Sequence, residues 1–128
     1  MRRNIAVDHV PNEIKLQTKS RQITISFDDG SHFELPFEYL RVHSPSADVA
    51  GHGPGQEVLQ KGKENVRVTK IEPVGHYAVR LIFDDGHSTG LYTWKHLYEL
   101  GAEQETRWQA YLDRLEAAGY ARQPITQH

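Results

Sequence analysis

Two Asp-Asp-Gly runs, eight histidines and a complete lack of cysteine set the chemistry open to this chain. Asp28-Asp29-Gly30 and Asp84-Asp85-Gly86 offer adjacent carboxylates of the kind used for acid–base or metal work. Turn chemistry uses the same residues more fully. Gly tolerates positive φ, Asp bonds its own backbone, and nothing like an EF-hand spacing follows. Both runs are therefore read as hairpin turns. A non-haem iron site needs two His and a carboxylate on one face. His32 and Glu34 share a face if they lie on a strand, and an oxygenase built on them is the most specific enzymatic reading. No second histidine at a telling spacing supports it. His43 and His52 fall in the stretch 43–57, and His87 just follows the second turn. If turn and stretch pack together, these three imidazoles, with Asp48 beside them, form a set that Zn²⁺ or Fe²⁺ accepts. The competing reading has them capping turns and bonding loop carbonyls.

Other constellations are weaker. Gly51-His52-Gly53-Pro54-Gly55-Gln56 is glycine-rich like a phosphate cradle, but lacks the Lys-Ser/Thr ending and the dinucleotide fingerprint. Pro54 also removes a backbone donor. Ser44, Ser46, Asp48 and a histidine can be written as a hydrolytic triad, without a nucleophile-elbow motif behind them. Tyr39, Tyr77, Tyr92, Trp94 and Trp108 could cage a quaternary ammonium, yet their periodicity points to a core. The missing cysteines exclude disulfides, thiolate nucleophiles and thiolate metal ligands within the chain.

The elements that must position these residues follow from periodicity. Ile14 and Leu16, then Ile23, Ile25 and Phe27, alternate as half-buried strands do. Residues 31–35 return after the first turn, and Pro36 opens a helical turn carrying Phe37 and Leu40. Residues 43–57, with their Gly and Pro, form no regular element; loops of that length are often functional. Strands follow over 65–74 and 76–83, with Tyr77, Val79 and Leu81 on one face, and residues 87–91 return after the second turn. Thr93 caps a helix to about Leu100 with Gly101 as its stop. Trp108, Tyr111, Leu112 and Leu115 mark one face of a last helix. Phe27-Asp28-Asp29-Gly30 and Phe83-Asp84-Asp85-Gly86 make an internal echo, each running through a strand into a helix. The expected architecture is α+β: one mixed, mainly antiparallel sheet of about five to six strands, with two C-terminal helices packed on one side. Residues 1–12 are expected as a flexible lead-in, 13–120 as the domain, and 121–128 as a frayed tail.

The chain has 128 residues, suited to a single domain with one real core. Its net charge of −2, with Lys and Arg scattered among acids, gives no electrostatic support for a nucleic-acid partner. No stretch approaches the ~20 apolar residues of a membrane helix, and the N-terminus lacks the apolar run of a signal peptide. A cytoplasmic protein without membrane or nucleic-acid partners is expected.

Three passages together resemble a known family: LRVHSPSADVAGHGPGQ at 40–56, IEPVGHYAVRLIFDDGHSTGLYTW at 71–94, and FDDG…LPFEYLR within 27–41. They are similar to the domain family named after the N-terminal domain of gamma-butyrobetaine hydroxylase, over roughly residues 10–120. In that hydroxylase the domain precedes a separate iron- and 2-oxoglutarate-dependent barrel, which has no counterpart here. The resemblance also implies a structural zinc held by three Cys and one His. The Cys positions correspond to Ser44, Ser46 and Val49, and the His to His87. Hydroxyls and a valine cannot replace thiolates on zinc, so that site is expected to be broken. Similar domains occur on P-loop ATPase scaffolds of iron–sulfur cluster assembly.

The first expectation is thus a non-catalytic accessory domain that docks a protein partner in iron–sulfur or iron-enzyme maturation. Its contact surface would draw on Arg41, Ser44, Ser46, Asp48, His52 and Gln56. The alternative is a domain binding iron or zinc through His43, His52 and His87.

Overall fold

The alternating apolar residues form strands that bury one face. In the computed structural model, which describes residues 9–51 and 55–125, β1 (Pro11–Gln17), β2 (Gln22–Phe27) and β3 (His32–Pro36) pair antiparallel in that order. Then come α1 (Phe37–Val42) and the single turn α2 (Ala47–Ala50). β4 (Val68–Val74), β5 (Ala78–Phe83) and β6 (Leu91–Thr93) form a second antiparallel set, followed by α3 (Trp94–Ala102) and α4 (Gln104–Ala117). Ile23, Ile25 and Phe27 of β2 meet Val79, Leu81 and Phe83 of β5 in one core, closed by Tyr39 and Leu40 of α1 and by Leu97 and Leu100 of α3. A smaller cluster joins Val42 to Tyr111 and Leu115 of α4.

The α+β class holds, but the strands make two three-stranded sheets rather than one sheet of five to six. β1 and β4 come close without pairing. Each carries a proline, Pro11 or Pro73, and a register shift, between Pro11 and Glu13 or between Val68 and Lys70. A proline cannot donate to a ladder, and a bulge twists an edge away, so neither strand is a ready partner for the other. Other boundaries move as well. Tyr77 is exposed rather than aligned with Val79 and Leu81. α3 runs through Gly101 to Ala102; the glycine serves there for space, since a side chain would collide with the Phe33 ring, and not as the helix stop. The stretch 43–57 does contain a helical turn, α2. β1 begins at Pro11, and His9 before it stacks on Tyr98 with ring centroids 3.7 Å apart.

The echo in the sequence is a repeat in the structure. Phe27 N–H donates to Ser31 O at 2.8 Å, and Phe83 N–H donates to His87 O at 3.0 Å. Asp28 N–H donates to Val10 O, and Asp84 N–H to Arg67 O. The Asp29 carboxylate accepts from Ser31 N–H, and that of Asp85 from His87 N–H. Gly30 and Gly86 sit at φ of 88° and 90°, where a side chain is strained. The second carboxylate of each turn then crosses to the opposite half. Asp29 accepts from Tyr98 Oη of α3, and Asp85 from Arg41 Nε of α1. Arg41 and Tyr98 are each the fifth residue of their helix.

Candidate functional site

The two ends of this repeat differ in chemistry. Around the first turn, Phe27, Phe33, Tyr98 and His9 pack ring against ring. Around the second, polar side chains fill the equivalent place. Gly90 allows this: a Cβ there would strike Ser44 Oγ and crowd Pro45 and Tyr92 at 3.3 Å.

Every second residue from 44 to 48 reaches the second hairpin. Ser44 Oγ and His87 Nε2 are hydrogen-bonded at 2.8 Å, Ser46 Oγ and Thr89 Oγ1 at 2.7 Å, and the Asp48 carboxylate lies 3.5 Å from His87 Nδ1. Ser46 N–H donates to Ser44 Oγ, and Ser46 Oγ donates to Asp48 Oδ1. Beneath them, Arg41 pairs with Asp85 at 2.9 Å and donates to Gln60 Oε1, while Lys63 Nζ adds a second cation 2.8 Å from the same Asp85 oxygen. Arg41, Asp48, Asp85, His87 and Thr89 line a polar depression of about 250 Å³. Farther along, Val58 N–H donates to Val49 O and closes the loop on itself.

Electrostatics fix the protonation states. Burial alone would raise the Asp85 carboxyl, but the Lys63 ammonium, the His87 N–H and the Arg41 guanidinium outweigh it and hold it at about 2. Burial, and then the Arg41 charge, push His87 below its ordinary range, so the ring is neutral. Ser44, His87 and Asp48 thus stand in the order of nucleophile, base and orienting acid. Ser44 is only 2% exposed and walled in by Pro45, Gly90 and Tyr92. These contacts fasten residues 44–48 to the second hairpin.

The residues singled out by sequence fall in different places. Ser46, Asp48 and Gln56 lie at or near the surface. Arg41 and Ser44 are buried, so they support that surface rather than form it. His52 lies outside the described residues. His43 turns away from His87: its Nδ1 bonds Tyr39 O at 2.9 Å and its ring packs on the Tyr39 ring at 4.6 Å. Burial holds its pKa down at about 4. His32 and Glu34 are exposed on one face of β3, and His32 bonds Ser26. Among the described residues, His9, Asp28 and Asp29 are the one set of three metal-type donors within 4.8 Å of one another. Sequence reasoning missed Asp85, Lys63 and Thr89. Asp85 was explained by its turn alone, and nothing local marks the helix it also reaches.

The zinc implied by the resemblance does not fit these side chains. Two of the four positions offer neutral hydroxyls, and the third, Val49, is an apolar group buried to 3%. The fourth, His87, gives Nε2 to a hydrogen bond with Ser44. Zinc sites of this closed kind take thiolates and imidazoles.

The family model described as gamma-butyrobetaine hydroxylase-like, N-terminal, matches residues 14–98. Two solution NMR structures are similar to this chain. One is 48% identical with a TM-score of 0.81, over 100% of this chain and 96% of that one. The other is 45% identical with a TM-score of 0.78, over 93% and 94%. A crystal structure of a protein of unknown function of the DUF971 family, from Acidithiobacillus ferrooxidans ATCC 23270, is 43% identical with a TM-score of 0.61, over 73% of this chain and 93% of that one. None of the curated proteins matches. Among the described residues, no helix is long and apolar enough to cross a membrane.

Proposed function

This chain belongs to the gamma-butyrobetaine hydroxylase-like N-terminal family, and from that membership we propose that it is a non-catalytic module that docks a protein partner. The carrying observation is the cross-bonded platform. Ser44, Ser46 and Asp48 fasten the loop to Thr89 and His87, while Gln56, Glu57 and Val58 stand exposed beyond it. A surface held in one shape before contact loses little freedom on binding. Its reactive-looking groups are enclosed or already bonded, which suits recognition better than turnover.

The partner class is a component of iron or iron–sulfur protein maturation, a reading that rests on the family resemblance. The test compares the wild-type chain with Gln56→Ala and Asp48→Ala as baits, each shown folded by circular dichroism. A partner retained by wild type, lost by both variants, and binding again as a purified iron or iron–sulfur maturation protein supports the reading. Identical captures by all three baits reject the surface. A purified partner without iron chemistry rejects the partner class.

A further inference from the structure

The chain continues past α4 as a strap. Gly119 N–H donates to Glu116 O and Tyr120 N–H to Leu115 O, which turns residues 120–125 back across the body. Tyr120 Oη and Gln123 N–H both donate to Glu64 Oε2, at 2.6 and 2.5 Å. Arg122 donates from Nε to Glu38 Oε2 at 3.0 Å and from Nη2 to Glu38 Oε1. Its guanidinium lies 5.3 Å from the centre of the Trp108 ring. Asn65 Nδ2 donates to Pro124 O. Residues 121–125 are thus tethered to the body by polar bonds.

The fastening is unusual in kind. Residues 121–125 are all exposed, so the strap buries little of itself. Glu38 and Glu64, which receive it, are only 7% and 4% exposed. Cavities flank it on both sides. One of about 430 Å³ is lined by Leu112, Leu115 and Tyr120, and one of about 700 Å³ by Tyr39, Trp108 and Glu105. A segment held by a few polar bonds, with so little apolar burial, lies at the easily opened end of local stability. When it lifts, Glu38 and Glu64 lose these donors, Glu38 loses its cation, and both carboxylates come open to a new donor.

We propose that the groove under this strap is a docking site for an arginine-bearing extended segment of a protein partner, with Arg122 as its resident placeholder. The chemistry of the floor selects the guest. A buried carboxylate that accepts two parallel N–H bonds fits a planar fork, and Trp108 offers the face on which such a fork stacks. An ammonium satisfies neither feature as well. Glu105 in the larger cavity adds the same sign of charge. This groove is distinct from the platform at the second hairpin.

The test uses the full-length chain with Arg122→Ala, and the capped tetrapeptide Arg-Gln-Pro-Ile, the sequence of residues 122–125, as probe. Binding is read from the Trp108 indole resonance and from fluorescence. The expected result is a saturable shift, at least about tenfold tighter in the variant than in wild type, where Arg122 competes. Replacing the probe's Arg by Lys should weaken binding about tenfold, and adding Glu38→Gln to the variant should abolish it. No saturable shift up to ~1 mM, equal binding of the Lys probe, or unchanged binding with Glu38→Gln would each overturn the proposal. If Arg122→Ala does not fold, Arg122→Lys takes its place with the same outcomes, since it keeps the cation and loses the fork.

Discussion

Replacing Asp85 by Asn tests the ion pair beneath the platform while keeping the shape of the turn. Asn can still accept from His87 N–H, but it leaves the Arg41 side chain, 7% exposed, without its carboxylate. Breaking a buried pair from one side costs ~3–5 kcal/mol. The Asp85 side chain is 23% exposed and Arg41 keeps Gln60, so a loss somewhat below that range, ~2–3 kcal/mol, is the expectation here. For a chain of this length that lowers Tm by roughly 10 °C. Adding Arg41→Met to Asp85→Asn should return ~1–2 kcal/mol, because the stranded charge is then gone. The pH profile gives a second reading. Asp85 falls from 3.8 to about 2 on folding, so its contribution is fully present above pH ~4. It is lost as pH drops through about 2. The shift corresponds to ~2.5 kcal/mol, cut to about half by solvent at this partly exposed side chain. Urea unfolding at steps between pH 5 and pH 2 should show that slope in wild type and a flatter one in Asp85→Asn. A loss under ~0.5 kcal/mol, or a double variant as unstable as the sum of the singles, would refute the reasoning.

Three further outcomes follow. Gly101→Ala should destabilise by ~1–3 kcal/mol in urea, the opposite of a usual helix Gly→Ala, because the new methyl meets the Phe33 ring. Tyr98→Phe should raise the Asp29 carboxyl from about 2 toward its ordinary range, followed by carboxyl NMR, because the Tyr98 hydroxyl bond is the chief cause of its depression. Zinc chelation should leave Tm unchanged, and elemental analysis should find no stoichiometric zinc at Ser44, Ser46 and His87; a Tm that falls with chelator would contradict the reading of hydroxyls as hydrogen-bonding groups.

Local signals carried the hairpins, the three longer helices and the start of α3, but not its end, where Gly101 lies inside the helix. Thr93 caps α3 through His96 N–H, as its type and place suggest, and Phe-Asp-Asp-Gly marked both turns. Signals between distant residues were not legible. Whether β1 would pair with β4 depended on Pro11, Pro73 and two bulges acting at an edge, and a period of two says nothing about edges. Asp85 looked satisfied by its own turn, so its bond to Arg41 left no trace in spacing. The pairing of Arg122 with Glu38 joins residues far apart along the chain. At the platform, Ser44, Ser46 and Asp48 were named only as part of a loop surface; Asp48 lies in α2, and nothing in the Gly- and Pro-rich stretch marked the helical turn that brings it to the second hairpin. His43 was grouped with His87 on the expectation that the stretch 43–57 packs beside the second turn, yet its ring turns to Tyr39 instead.

The exchange of anchors between the repeated halves has a consequence for how the molecule comes apart. Asp29 holds α3 and Asp85 holds α1, so neither half owns a full set of tethers. Loosening one turn removes a support from the other half's helix, and through it from the common interior. Melting should therefore proceed in a single step, with far-ultraviolet and tryptophan signals superimposable, rather than as the successive loss of two independent pieces.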